Sequence, residues 1–143
     1  MTIFELNTRV QSFDLKEELN KVIKESEAEI VDANTEMLYS GIDAKGKSLG
    51  EYAHSTVEYK KKKGAPYDRI TLKDEGDYYS GKQLVKSGES FTVKSTNYKN
   101  DKLENDFGID INSLDEKRMA NITDDKLTPG ITKAFQAVLW KWV

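Results

Sequence analysis

The sequence has no cysteine, one histidine and only two prolines in 143 residues. The missing cysteine excludes a disulfide framework, a thiolate nucleophile and any cysteine-ligated metal centre. The lone histidine, His54, lies among small and polar residues, and we read it as a solvated loop residue rather than a ligand or general base. No apolar run is long enough to span a bilayer, and no positively charged leader precedes an apolar core. The expected setting is therefore the cytoplasm or a structure assembled there, with no membrane partner. A net charge of −3 and a pI near 5.3 argue against general affinity for nucleic acid.

What the chain does have is charge. Charged residues make up 33% and hydrophobic ones 37%, which describes a single domain over residues 1–143 with much of its surface facing solvent or partners. The stretch GIDAKGKS, from Gly41 to Ser48, fits the phosphate-loop pattern GxxxxGK[ST]. In a working phosphate loop the glycines let successive N–H groups curl round the phosphates, the lysine reaches the terminal oxygens and the hydroxyl serves magnesium. Such a loop leaves a buried strand and enters a helix. Here the residues before it read as the end of a helix, and LGEYAHS after it has no apolar periodicity. A glycine-rich turn is the reading we favour. Nucleotide binding through Gly41 to Ser48 is kept as an alternative.

Along the chain, TIFELNTRVQSF alternates roughly at Ile3, Phe4, Leu6 and Val10, which predicts a first strand. Asp14 and Glu17 then form a capping box for a helix whose stripe runs through Leu15, Leu19, Val22, Ser26, Ile30, Ala33 and Met37. That stripe predicts one continuous helix of about 26 residues, roughly 39 Å long, ending at Gly41. Val31 and Leu38 lie off the stripe in its second half, so that half is expected to be enclosed on two faces, and both residues are candidates for a subunit interface.

Gly41 to Gly50 is a turn-rich connection in which Asp43, Gly46 and Gly50 supply the turn chemistry. A calcium loop is not expected, because Ala44 and Lys45 follow Asp43. Ser55 and Glu58 predict a capping box for a short helix through Lys60–Lys63 to Gly64. Four adjacent lysines spray round a helix without aromatic interleaving, so a solvated helix end is expected. YDRITL reads as a strand, and the carboxylates Asp74, Glu75 and Asp77 as a solvated turn. Lys82–Lys86 and Ser90–Ser95 predict a hairpin through Ser87, Gly88 and Glu89. YKNDKLENDFG predicts a helix closing on Gly108, and Ser113 with Glu116 a further capping box.

Thr128 and Pro129 are placed as N-cap and first residue of a C-terminal helix with a stripe of Ile131, Phe135, Val138, Leu139 and Trp142. Trp140 projects to the opposite side, where it either lies under another part of the chain or anchors a partner. The fold class expected is α+β, with one long N-terminal helix and several short helices packed on a small, mostly antiparallel sheet. No catalytic, cofactor or metal residue is assigned.

The run from Gly41 to Tyr79 resembles the signature of bacteriophage virion-morphogenesis proteins, also described as neck or tail-completion proteins, in their Bacteroidetes-phage form. It is carried by Gly41, Asp43, Gly46 and Lys47, then Tyr52, then Tyr59 with the lysine-rich helix to Gly64, then Leu72, Gly76 and Tyr79. A long helix before it, a hairpin after it and LENDFGIDINSLDEKRM beyond extend the likeness from about residue 14 to 120. Glu75 departs from the threonine often found before the last glycine. The resemblance implies a structural virion protein without catalysis, forming a sixfold or twelvefold homo-oligomeric ring at the head-tail joint. Such a ring contacts other neck, portal-adaptor or tail proteins and passes DNA without sequence-specific binding. It implies that GxDxxGK is a turn after the helix. A nucleic-acid-binding module built on the lysine run is the remaining alternative.

Overall fold

The structure is a computed structural model and describes residues 1–140. It is an α+β chain in which helices predominate and the sheet is a single antiparallel pair. The chain divides into two compact units, one formed by Met1–Glu27 with residues from Ala120 onward and the other by Ala28–Met119.

In the first unit, the residues expected as a strand form helix α1 (Ile3–Ser12). A capping box decides this. Thr2 Oγ1 accepts the Glu5 N–H at 3.1 Å, and the Thr2 N–H donates to Glu5 Oε2 at 2.7 Å, so two donors at the helix start are satisfied. Helix α2 (Leu15–Glu25) starts at Asp14, whose carboxylate accepts the Glu17 N–H as expected.

The long helix is not continuous. It ends at Ser26, where φ −95° and ψ 12° leave the helical basin, and α3 (Glu27–Tyr39) begins anew. Ser26 is buried, and its Oγ donates to the Val22 carbonyl at 2.8 Å, the backbone competition that makes serine a poor mid-helix residue. Position 26 satisfies the spacing of the stripe but not the chemistry of a helix interior.

Helix α8 (Thr128–Trp140) packs with α1 and α2. Gly130 is required for the α2 contact, since a Cβ there would sit 2.6 Å from Val22 Cγ1. Phe13 meets Phe135 edge to face at 5.1 Å, and Arg9 donates to the Leu139 carbonyl at 3.1 Å. Thr128 is not an N-cap. Its N–H bonds back to the Thr123 carbonyl through a π turn, Thr123–Leu127, and this wider turn carries the chain into Pro129, which has no N–H to give. Trp142, expected on the α8 stripe, lies outside the described residues.

The second unit holds α3, α4 (His54–Lys63), α5 (Asp77–Ser80), the hairpin β1 (Lys82–Ser87) and β2 (Ser90–Ser95), and α6 (Asn100–Phe107). A 3-10 turn over Ile109–Asn112 follows, and α7 (Glu116–Ile122) starts at its end. The hairpin register pairs Ser87 with Ser90, so Gly88 and Glu89 form a two-residue turn, and Gly88 at φ 61° suits it. Helices α4 and α6 close on Gly64 and Gly108 as expected.

The expected caps differ. Helix α4 starts after Ala53 with no side-chain cap, and the helix start near 116 is held by Asp115, not Ser113, through the Arg118 N–H at 3.2 Å. No strand forms over Tyr67–Leu72. The Thr71 N–H is taken by the Tyr52 hydroxyl at 3.0 Å, and Leu72 at φ 57° interrupts any extended run.

The core of this unit is Met37, Leu38, Leu49, Tyr78 and Ile111. Asn34, fully buried at 0% exposure, sits beside it and satisfies three segments. Its amide donates to the carbonyls of Ile111 at 2.9 Å and Ser113 at 2.7 Å, and its Oδ1 accepts Lys82 Nζ at 2.9 Å. Asn34→Leu keeps the branched shape of the side chain, with somewhat larger volume, and orphans those groups. Equilibrium unfolding in urea is expected to show a loss of about 2–4 kcal/mol, whereas a loss below about 0.5 kcal/mol would mean the amide is dispensable.

Candidate functional site

The signature residues of the Gly41 to Tyr79 run all lie in the second unit. Gly41 and Gly46 adopt φ 87° and 76°, and Gly64 and Gly76 φ 70° and 92°, backbone that glycine alone adopts without strain. At Gly41 a Cβ would also press on Arg69 Cβ at 3.1 Å. Arg69 donates from Nε to the Tyr39 carbonyl at 2.8 Å, which satisfies the end of α3.

The loop between Gly41 and Ser48 closes on its own acid. Asp43 Oδ1 accepts the N–H groups of Lys45 at 2.9 Å and Lys47 at 3.0 Å. The Asp43 N–H bonds the Lys47 carbonyl at 3.0 Å, and Ile42 pairs with Ser48. Amides that would cradle a phosphate are therefore occupied by a carboxylate, and an incoming phosphate would meet like charge. The loop follows helix α3 rather than a strand, and no helix begins at Ser48. Lys47 is exposed, and only its backbone takes part in the turn.

The lysine run is not one solvated end. Lys60, 7% exposed, donates from Nζ to the Lys73 carbonyl at 2.6 Å and lies 4.9 Å from the Tyr52 ring centroid. Lys61 pairs with Glu58 at 3.8 Å, and Lys63 stands over Tyr59 at 4.9 Å. His54 is exposed and opens α4 instead of lying in a loop. Asp74 and Asp77 line a cleft of about 510 Å³ with α4, α6 and Leu72. Among the described residues no group of three or more acidic or histidine side chains converges as a metal site.

Of the three interface candidates, Leu38 is fully buried in the core of its own unit and Val31 is half-buried. Trp140 is 59% exposed.

The packing roles of Tyr79 and Lys82 carry no signal in the sequence. Tyr79 donates its hydroxyl to the buried Thr71 carbonyl, which with Tyr52 fixes the irregular segment before Leu72. Lys82 is half-buried, with its amine against the rings of Tyr79 and Tyr78, 4.4 and 5.3 Å from their centroids, and Thr35 Oγ1 at 3.3 Å as a further acceptor. Burial pushes its amine down to about 7. The same burial pushes the Tyr78 hydroxyl up to about 12 and the Tyr79 hydroxyl well above its usual value. A lysine at the head of a strand carries no sequence signal for this, because the aromatic pair stands in a different element.

No protein-family model, curated protein or solved structure matches the chain.

Two outcomes follow. Asp43→Ala frees the loop amides and is expected to lower stability by about 1–3 kcal/mol in chemical denaturation, while Lys47→Ala stays within about 0.5 kcal/mol of the parent; equal effects would contradict this account of the loop. For Lys82 the folded pKa lies below the unfolded one, so between about pH 7 and 10 the unfolded chain binds the extra proton and raising the pH stabilises the fold. The slope is at most about 1.4 kcal/mol per pH unit and vanishes below pH 7. The stability difference between the parent and Lys82→Met should shift in the parent's favour across that window, and a difference independent of pH would contradict a depressed pKa for the Lys82 amine.

Proposed function

We propose that this chain is a structural subunit that assembles with copies of itself, and that the assembly is a ring at the head-tail joint of a phage particle. One observation carries the first part: neither α1 nor α8 buries a single residue among those described, although both carry large apolar side chains. Ile3 is 86% exposed, Phe4 79% and Trp140 59%. Val22 and Ile122 are the buried apolar side chains of that unit among the described residues. A helical unit of about 50 residues with so thin a core gains its missing apolar burial from a partner. Aromatic side chains left exposed in this way are the usual anchors of subunit contacts.

The second part rests on the resemblance of Gly41 to Tyr79 to virion-morphogenesis proteins. The turn geometry of Gly41, Asp43, Gly46 and Gly64 supports it, because it makes GIDAKGKS a self-closed connection after a helix. The role is mechanical: subunits surround and seal the conduit through which DNA passes. The acidic balance suits a channel that must not hold its cargo.

The test is sedimentation velocity over a concentration series. The parent is expected to form a closed oligomer, and Trp140→Ala to shift the midpoint of assembly at least about tenfold higher in concentration while changing Tm by less than about 3 °C. A large fall in Tm with unchanged assembly would place Trp140 in the subunit's own packing and remove this support.

A further inference from the structure

The cleft of the second unit has an apolar floor and a charge-balanced rim. Tyr52, Tyr78, Leu72, Leu103 and Phe107 supply the floor, in a space of about 510 Å³. The charged lining residues are Lys60, Lys73, Lys99 and Lys102 with Asp74, Glu75, Asp77 and Asp106, and the lysines are already engaged. Lys60 donates to the Lys73 carbonyl, Lys99 lies 3.6 Å from Asp74, and Lys102 lies 2.5 Å from Asp106. Lys73 stands over the Tyr39 ring at 5.8 Å. A rim with as many acids as lysines does not attract a polyanion. What suits it is a short apolar segment of balanced charge.

This chain presents such a segment. The first turn of α1 places Ile3 and Phe4 side by side as its most exposed large apolar side chains, with Leu6 partly exposed behind them. The charged residues of α1, Glu5 in the first turn and Arg9 in the last, cancel over the helix. The Thr2–Glu5 capping box makes the turn rigid before it meets anything, so little ordering entropy is lost on docking.

We propose that Ile3 and Phe4 of one copy insert into the cleft of a neighbouring copy, a deepening that rests on the self-assembly reading. Peg and cleft are different surfaces, so the contact is head-to-tail, the type that generates a ring when the rotation between neighbours closes. The cleft lies about right for the load: two large apolar side chains fill a few hundred Å³, within the usual range for a docking pocket.

The absence of native cysteine makes the test direct. Asn7→Cys, one turn along from the peg, and Thr56→Cys, in the cleft, are made in full-length chains with different affinity tags, mixed, and treated with a short bismaleimide. The expected result is a covalent product carrying both tags, in yield at least about tenfold above a mixture in which Ser90→Cys, on the hairpin turn outside the cleft, replaces Thr56→Cys. In a second arm, Phe4→Ser should abolish the oligomer without lowering Tm, since the side chain is exposed. Cross-linking only between two copies of Asn7→Cys would overturn the proposal in favour of a symmetric contact. Oligomers that survive Phe4→Ser and give no mixed product would overturn it while leaving self-assembly standing. Monomers at every concentration, with no product, would overturn both.

Discussion

The side chain of Asn34 holds the second unit together. One buried amide satisfies two carbonyls of the segment 111–113 and one amine of the hairpin, so α3, the 3-10 turn and β1 are fixed by the same few atoms. Polar groups at such depth are stabilising only when every partner is present. The adjoining contacts extend the pattern. Glu104 resists ionisation through burial, yet hydrogen bonds from Asn112 and Asn100 and the charge of Lys94 outweigh this and hold its carboxyl below the usual value. Asn100 Oδ1 in turn accepts the Ser95 N–H at 3.0 Å, and Ser95 Oγ donates to the Tyr78 carbonyl at 2.7 Å. Asparagine and serine, not a large apolar layer, register the ends of α6, β2 and α5.

That polar scaffold explains why so short a sheet suffices. A lone hairpin is marginal in water, and here both of its ends are tied to helices by side-chain bonds. It also explains the glycine turns of the Gly41 to Tyr79 run. They bring Asp43, Thr71 and the tyrosines to positions where backbone N–H groups without a ladder find side-chain partners. The first unit is built on a different balance. Helices α1 and α2 are capped, and Gly130 lets α8 approach α2 closely, but the apolar side chains of α1 and Trp140 of α8 remain exposed while the rest of the α8 stripe is only half-buried.

Legibility in the sequence followed the range of the interaction. The hairpin, the ends of α4 and α6 at glycine, and the cap at Asp14 were readable because a few adjacent residues decide them. Helix α1 carries its signal in the capping-box spacing of Thr2 and Glu5, but the alternation of Ile3, Phe4 and Leu6 fits either period over so few residues and points equally to a strand. The break at Ser26 was hidden because the stripe scores position 26 only by its spacing. Tyr67–Leu72 looked extended, and only the distant Tyr52 and Tyr79 hydroxyls explain why it is not. At the candidate site the turn character of GIDAKGKS was readable from its flanks. The burial of Lys60 and Lys82 was not, because each depends on carbonyls and rings supplied from other elements.

The proposed mode of action is assembly, not nucleotide binding at Gly41 to Ser48. Native mass spectrometry of the full-length protein, with and without magnesium and ATP, tests it most directly. The expected result is a closed oligomer whose subunit mass is unchanged by nucleotide. A stoichiometric nucleotide adduct that disappears in Lys47→Ala would contradict it.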